Sequence, residues 1–99
     1  MKIEKTENNG ILTVKPTGRL DSLTSDEFLG FLNQNFTKDY TGLVLDFEKI
    51  DFISSKGLRV LVSVYKELGE RTMKIVGANT SVYEVIKISG LLKVFSVNE

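Results

Sequence analysis

Hydrophobic and polar positions change period several times along the chain, and each change predicts an element. Met1 to Glu7 and Ile11 to Pro16 alternate partially, as short strands do, and Asn8-Asn9-Gly10 between them tolerates the positive dihedrals of a tight hairpin turn. From Leu23 the period lengthens: Leu23, Phe28, Phe31, Leu32 and Phe36 recur at spacings near three, four and five, as on one helix face. Thr24 and Glu27 stand at capping-box spacing, which puts the helix start near Ser22 to Thr24. Gly42 then opens Leu43-Val44-Leu45-Asp46-Phe47, a nearly continuous apolar run that predicts a central strand covered on both faces. After Glu48 to Ile53 comes Ser54-Ser55-Lys56-Gly57, followed by Leu58, Leu61, Val62, Tyr65 and Leu68 at helical spacing up to Gly69. Thr72 to Val76 reads as a strand. Ser81 with Glu84 reads as the cap of a third helix whose Val82, Val85, Ile86 and Ser89 face inward, and Leu92 to Val97 as the last strand. The predicted order is β-β-α-β-α-β-α-β, an α/β fold in one domain over residues 1–99. Its sheet is mixed, because the hairpin is antiparallel while strands linked by helices run parallel.

Composition narrows the function. With 99 residues, 41% of them hydrophobic and a single proline, the chain supports one core, and a deep enclosed active site is not expected. Thirteen Lys and Arg balance thirteen Asp and Glu, so no net field draws the chain to nucleic acid or an anionic membrane. No run approaches the ~18 apolar residues of a membrane helix, so direct membrane insertion is not expected. The polar start from Met1 to Gly10 lacks the apolar centre of a secretory signal, and a cytoplasmic location is expected. Cysteine and histidine are both absent, which removes thiolate chemistry, the usual general base at neutral pH and the commonest metal ligand. No catalytic residue, metal or cofactor is therefore expected, and the chain does not read as an enzyme. Neither a Walker loop nor a glycine-rich dinucleotide fingerprint occurs, and Ser63-Val64-Tyr65-Lys66 lacks the companions of the Ser-x-x-Lys enzymes. Asp21, Asp46, Glu48 and Asp51 read as structural or surface charges rather than a catalytic pair, Asp21 because it precedes a positive helix end.

Ser54-Ser55 stands out, two hydroxyls at the junction of a strand and a helix, where α/β sheets place ligands. One serine suffices as an N-cap. The other is then free at the surface beside unpaired N–H groups, where an added phosphate is well tolerated. Val60 and Val64 widen the apolar stripe of this second helix toward the side bearing Lys56, Ser63 and Glu67. That widening reads either as a broad buried face or as a partner surface adjoining the serines.

Leu43-Val44-Leu45-Asp46-Phe47 and Phe52-Ile53-Ser54-Ser55-Lys56-Gly57-Leu58-Arg59-Val60-Leu61 together resemble the signature of the anti-sigma factor antagonists, the STAS domains, whose pattern runs Asp-Ser-Ser/Thr-Gly-Leu-Gly-Val-Leu. Gly18-Arg19-Leu20-Asp21 is similar to that family's Gly-x-Leu-Asp ahead of the first helix. The resemblance implies a STAS-like fold of three to four helices and a non-catalytic switch protein. Members bind an anti-sigma factor that is also a serine kinase, are phosphorylated in the strand-to-helix turn, lose affinity, and are restored by a PP2C-type phosphatase. Ser55 matches the family's first hydroxyl, Ser54 its Asp, Lys56 its second hydroxyl, Gly57 and Leu58 its Gly-Leu, and Arg59 its second glycine. Ser55 is thus the phosphosite that the resemblance implies, with Ser54 as the fallback. Asp21, Ser22, Ser54, Lys56, Gly57, Arg59, Val60 and Val64 are the implied partner contacts. Ser54 and Lys56 depart from the pattern, which lends slight support to an alternative beside the leading antagonist reading: a STAS-like accessory subunit of a transporter complex, not phosphorylated.

Overall fold

The computed structural model describes Met1 to Glu99. Strands β1 (Lys2–Asn8) and β2 (Ile11–Leu20) form the antiparallel hairpin, turning through Asn9 and Gly10 at φ 52° and 81°, the pair of positive dihedrals that a two-residue hairpin turn needs. Then follow α1 (Thr24–Asn35), β3 (Gly42–Asp46), β4 (Ile50–Ile53), α2 (Ser55–Lys66), β5 (Thr72–Val76), α3 (Thr80–Ile88), a 3-10 turn (Leu91–Lys93) and β6 (Ser96–Val97). The sheet runs β1-β2-β3-β5-β6, parallel beyond the hairpin, and is the mixed α/β architecture that the sequence predicts.

β4 goes unpredicted, because four residues with only Ile50 and Ile53 buried carry no readable period. It exists because β2 is long enough to serve two partners. Ile11 to Val14 pair with β3, and Gly18 to Leu20 pair with β4. The register shifts between Gly18 and Arg19, where Gly18 sits at φ 118°, a conformation that side-chain-bearing residues avoid. That bend carries the chain end of β2 to the strand that precedes α2, and so builds the site described below.

Buried strand residues Leu12, Val14, Leu43, Leu45, Met73, Ile75 and Val97 share one face of the sheet and join a single core with Phe28, Leu32, Leu61 and Ile86 from the helices. On the other face Thr13, Val44 and Asp46 are only half-buried and Lys74 is exposed. The central strand is therefore not covered on both faces; its apolar run reflects Val44 lying on an open sheet surface.

Several details of the helices and the last strand also depart from expectation. Leu23 is 81% exposed, since the helix begins one residue after it and only Ser25, Phe28 and Leu32 turn fully inward. Thr24 and Glu27 form no capping box: Glu27 reaches the amino terminus at 3.1 Å, and the first N–H groups of the helix are served from Asp21. Asn79, not Ser81, caps α3, accepting from the Val82 N–H at 2.8 Å. Ser89, placed inward by periodicity, is exposed, and the predicted strand from Leu92 shrinks to Ser96–Val97 because Leu91–Lys93 turns instead.

Ser25 is fully buried and its hydroxyl has no hydrogen-bond partner. An unpaired buried hydroxyl is a net cost, and alanine is the better helix former. Ser25→Ala is expected to raise unfolding free energy by about 1 kcal/mol. A lowered melting temperature would show that the hydroxyl has a partner after all.

Candidate functional site

The site forms where β4 hands over to α2. Ser54 is extended (φ −90°, ψ 174°) and half-buried, and its N–H and hydroxyl make three hydrogen bonds. Its N–H and its Oγ donate to the Leu20 carbonyl at 2.9 and 2.8 Å, and its Oγ accepts from the Gly57 N–H at 3.2 Å. Ser54 is thus the N-cap and also the stitch joining the α2 entrance to the end of β2. Ser55, the first residue of α2, is exposed and its hydroxyl has no such ties. The first turn of α2 holds no acidic residue, so the positive end of the helix beside Ser55 is not neutralised from within the helix.

This division of labour separates two substitutions. Ser54→Ala is expected to cost about 0.5–2 kcal/mol in urea unfolding, and Ser55→Ala less than about 0.5 kcal/mol. The reverse order would make Ser55 the cap.

Because Leu20 lies against Ser54, the turn that follows it borders the same surface. Asp21 Oδ1 accepts from the backbone N–H groups of Thr24 and Leu23, both at 3.0 Å, and these bonds hold its carboxyl below the usual range. Its charge therefore persists into mildly acid solution, and the stabilisation tied to it is lost only as pH falls through the lowered value. Asp21 N–H in turn donates to Thr24 Oγ1, which bonds the Arg19 carbonyl. Ser22, next in the turn, is exposed.

Lys56 is not free. Its Nζ lies 2.8 Å from Asp26 Oδ2, which ties the start of α2 to the first turn of α1. Arg59 is exposed one turn further along. Gly57, Val60 and Val64 were expected at a partner surface and are instead buried, with Val60 and Val64 at 4% and 5% exposure. The broad buried face is the correct alternative for α2. Its core stripe is Gly57, Val60, Leu61, Val64 and Leu68, while Leu58 and Val62 are half-buried and Tyr65 exposed, a rotation of the helix from the predicted face. The rotation follows from Gly57, whose missing side chain lets α2 approach the sheet on that side.

Two features of the surface escape sequence reasoning. The Arg19 guanidinium stacks over the Phe52 ring at 4.4 Å, covering part of an apolar side chain beside the Ser54 junction. Asp26 is the counter-ion of Lys56. Both pairs join residues about thirty positions apart in sequence and carry no local signal.

The arrangement offers a free hydroxyl at a helix N-terminus, next to a lysine paired with Asp26 and to a capping serine bonded to the end of the strand that leads into Asp21. Comparison with known proteins bears on family and fold. The STAS domain family model matches residues 2–99. The chain is similar to BtrV of Bordetella bronchiseptica, named as a candidate anti-sigma factor antagonist, with 32% identity over 98% of this chain and 85% of that protein. In fold it is similar to an anti-sigma factor antagonist from Mycobacterium paratuberculosis, at TM-score 0.88 and 24% identity over 98% of this chain and 86% of the other. It is also similar to the Bacillus cell fate determinant SpoIIAA in its phosphorylated form, at TM-score 0.74 and 16% identity over 99% and 92%.

Proposed function

Since the chain belongs to the STAS domain family, we propose that it acts as an anti-sigma factor antagonist, a single regulatory domain over residues 1–99 that binds an anti-sigma factor in the cytoplasm and is switched by phosphate on Ser55. The observation that carries this reading is the unequal fate of the two serines: Ser54 is consumed by the cap and by Leu20, whereas Ser55 stays exposed and untied. In this reading Asp21, Ser22, Lys56 and Arg59 are the docking contacts, and Ser54 ties the α2 entrance to the strand that leads into Asp21. A phosphate on Ser55 adds about −1.5 to −2 charges at pH 7, at a place where a helix N-terminus accommodates anions. The fold therefore survives the modification, and what changes is the charge and shape met by the partner. A serine kinase, which in this reading is the anti-sigma factor itself, adds the phosphate, and a PP2C-type phosphatase removes it.

Incubation with ATP and the anti-sigma kinases of the same genome should place one phosphate on Ser55, located by fragment-ion mass spectrometry. Ser55→Ala should retain binding to that kinase in calorimetry, while Ser55→Asp should weaken it by about tenfold or more. Failure of every such kinase both to bind and to modify the chain would overturn the proposal.

A further inference from the structure

On the side of α2 turned away from its core stripe, a groove of about 390 Å³ runs between the helix and the segment that follows α3. Its apolar lining is Leu58 and Val62 from α2 with Leu91 from the 3-10 turn, and its polar lining includes Arg59 and Lys66. Both cations are exposed and neither joins an ion pair, and no carboxylate lines the groove. In a chain whose thirteen positive and thirteen negative side chains cancel, this is a local surplus of positive charge beside half-buried apolar side chains.

From this geometry we infer that the groove seats an acidic amphipathic helix of a partner protein. Arg59 and Lys66 are seven residues apart on α2, on one side of the helix and separated by roughly 10 Å along its axis. A second helix lying along the groove offers two carboxylates at that spacing from positions seven apart, with apolar side chains between them for Leu58, Val62 and Leu91. A fatty acid or a lipid headgroup with a single phosphate brings one anionic centre and satisfies only one of the two cations. The groove also begins one turn beyond Ser55, so a phosphate there stands at its mouth and repels an acidic occupant. This inference rests on the antagonist reading for the identity of the partner and names the chemistry of the partner's contacting segment.

The probe is a designed helical peptide with leucines at i and i+4 and glutamates seven apart on the flanking face, titrated into the ¹⁵N-labelled protein. A matched peptide with lysines for glutamates, and decanoate below its micelle concentration, are titrated in parallel. The glutamate peptide should shift amides of α2 and Leu91–Lys93, leave the open sheet face unmoved, and bind about tenfold more tightly than the lysine peptide. Charge reversal at two exposed positions, Arg59→Glu with Lys66→Glu, should invert that preference, and Ser55→Asp should weaken the glutamate peptide by about threefold at low salt. The inference is overturned if no groove amide moves by ~1 mM peptide, if the two peptides bind equally, or if decanoate alone occupies the groove. Because the titration needs no anti-sigma factor, a groove that behaves as described in a chain that binds no such factor would sink the functional reading alone. A chain that binds the factor but ignores the peptides would sink this one alone.

Discussion

Leu61→Ala is expected to remove about 2–5 kcal/mol of unfolding free energy, read as a shift of the urea midpoint at unchanged slope. Leu61 is 0% exposed and lies in the middle of the α2 core stripe, with Val60 beside it and Val64 one turn on. Truncation there leaves a cavity whose walls are a strand sheet below and helices around it, and neither can collapse far. A domain of this size has roughly 5–15 kcal/mol of stability in total, so the loss is a large share of it. Tyr65→Ala, four residues on and 41% exposed, should cost far less. Equal effects at the two positions would contradict the orientation of α2 on which the site depends.

Gly57→Ala has two opposing terms, and their magnitudes decide the sign. Replacing a helix-interior glycine by alanine ordinarily gains about 1 kcal/mol. Here an added Cβ would lie 2.7 Å from Ile53 Cγ1, 3.1 Å from the Leu20 carbonyl oxygen and 3.2 Å from Leu20 Cβ. Ile53 is 2% exposed and cannot swing aside, and the Leu20 carbonyl is the acceptor for both Ser54 bonds. Relief must come from moving α2 off the sheet, at a cost of about 1–3 kcal/mol that outweighs the propensity gain. The expected result is a net loss in urea unfolding, together with shifted Ser54 and Gly57 amide resonances, since the cap itself is pulled apart. A stabilised Gly57→Ala would mean that α2 does not approach β2 as closely as these distances state.

Most of the architecture is legible in the chain. Asn9-Gly10 between two alternating segments dictates the hairpin, and the apolar run from Gly42 supplies the middle of the sheet. The amphipathic stretches give all three helices close to their observed bounds. Periodicity succeeds there because burial against one large face repeats its demand every two or every three to four residues. It fails for β4, which is defined by pairing with the far half of β2 rather than by any pattern of its own. For α2 the apolar positions cover more than half of the helix surface, so several rotations satisfy the pattern equally well.

At the site, the sequence by itself determined that two adjacent serines enter a helix and that one of them would cap it, because backbone N–H groups at a helix start need an acceptor whatever the fold around them. Which serine caps, and which stays exposed and untied, was decided only by tertiary structure. Ser54 is tied because the bend at Gly18 brings the Leu20 carbonyl within 2.9 Å of it, and that carbonyl belongs to a strand thirty-four residues earlier in the chain. The same holds for Lys56 and Asp26, and for Val60 and Val64, whose burial depends on how close Gly57 lets the helix come. Local sequence specifies the needs of each backbone segment, but the partner that meets a need across the fold is chosen by packing, which no single stretch of the chain contains.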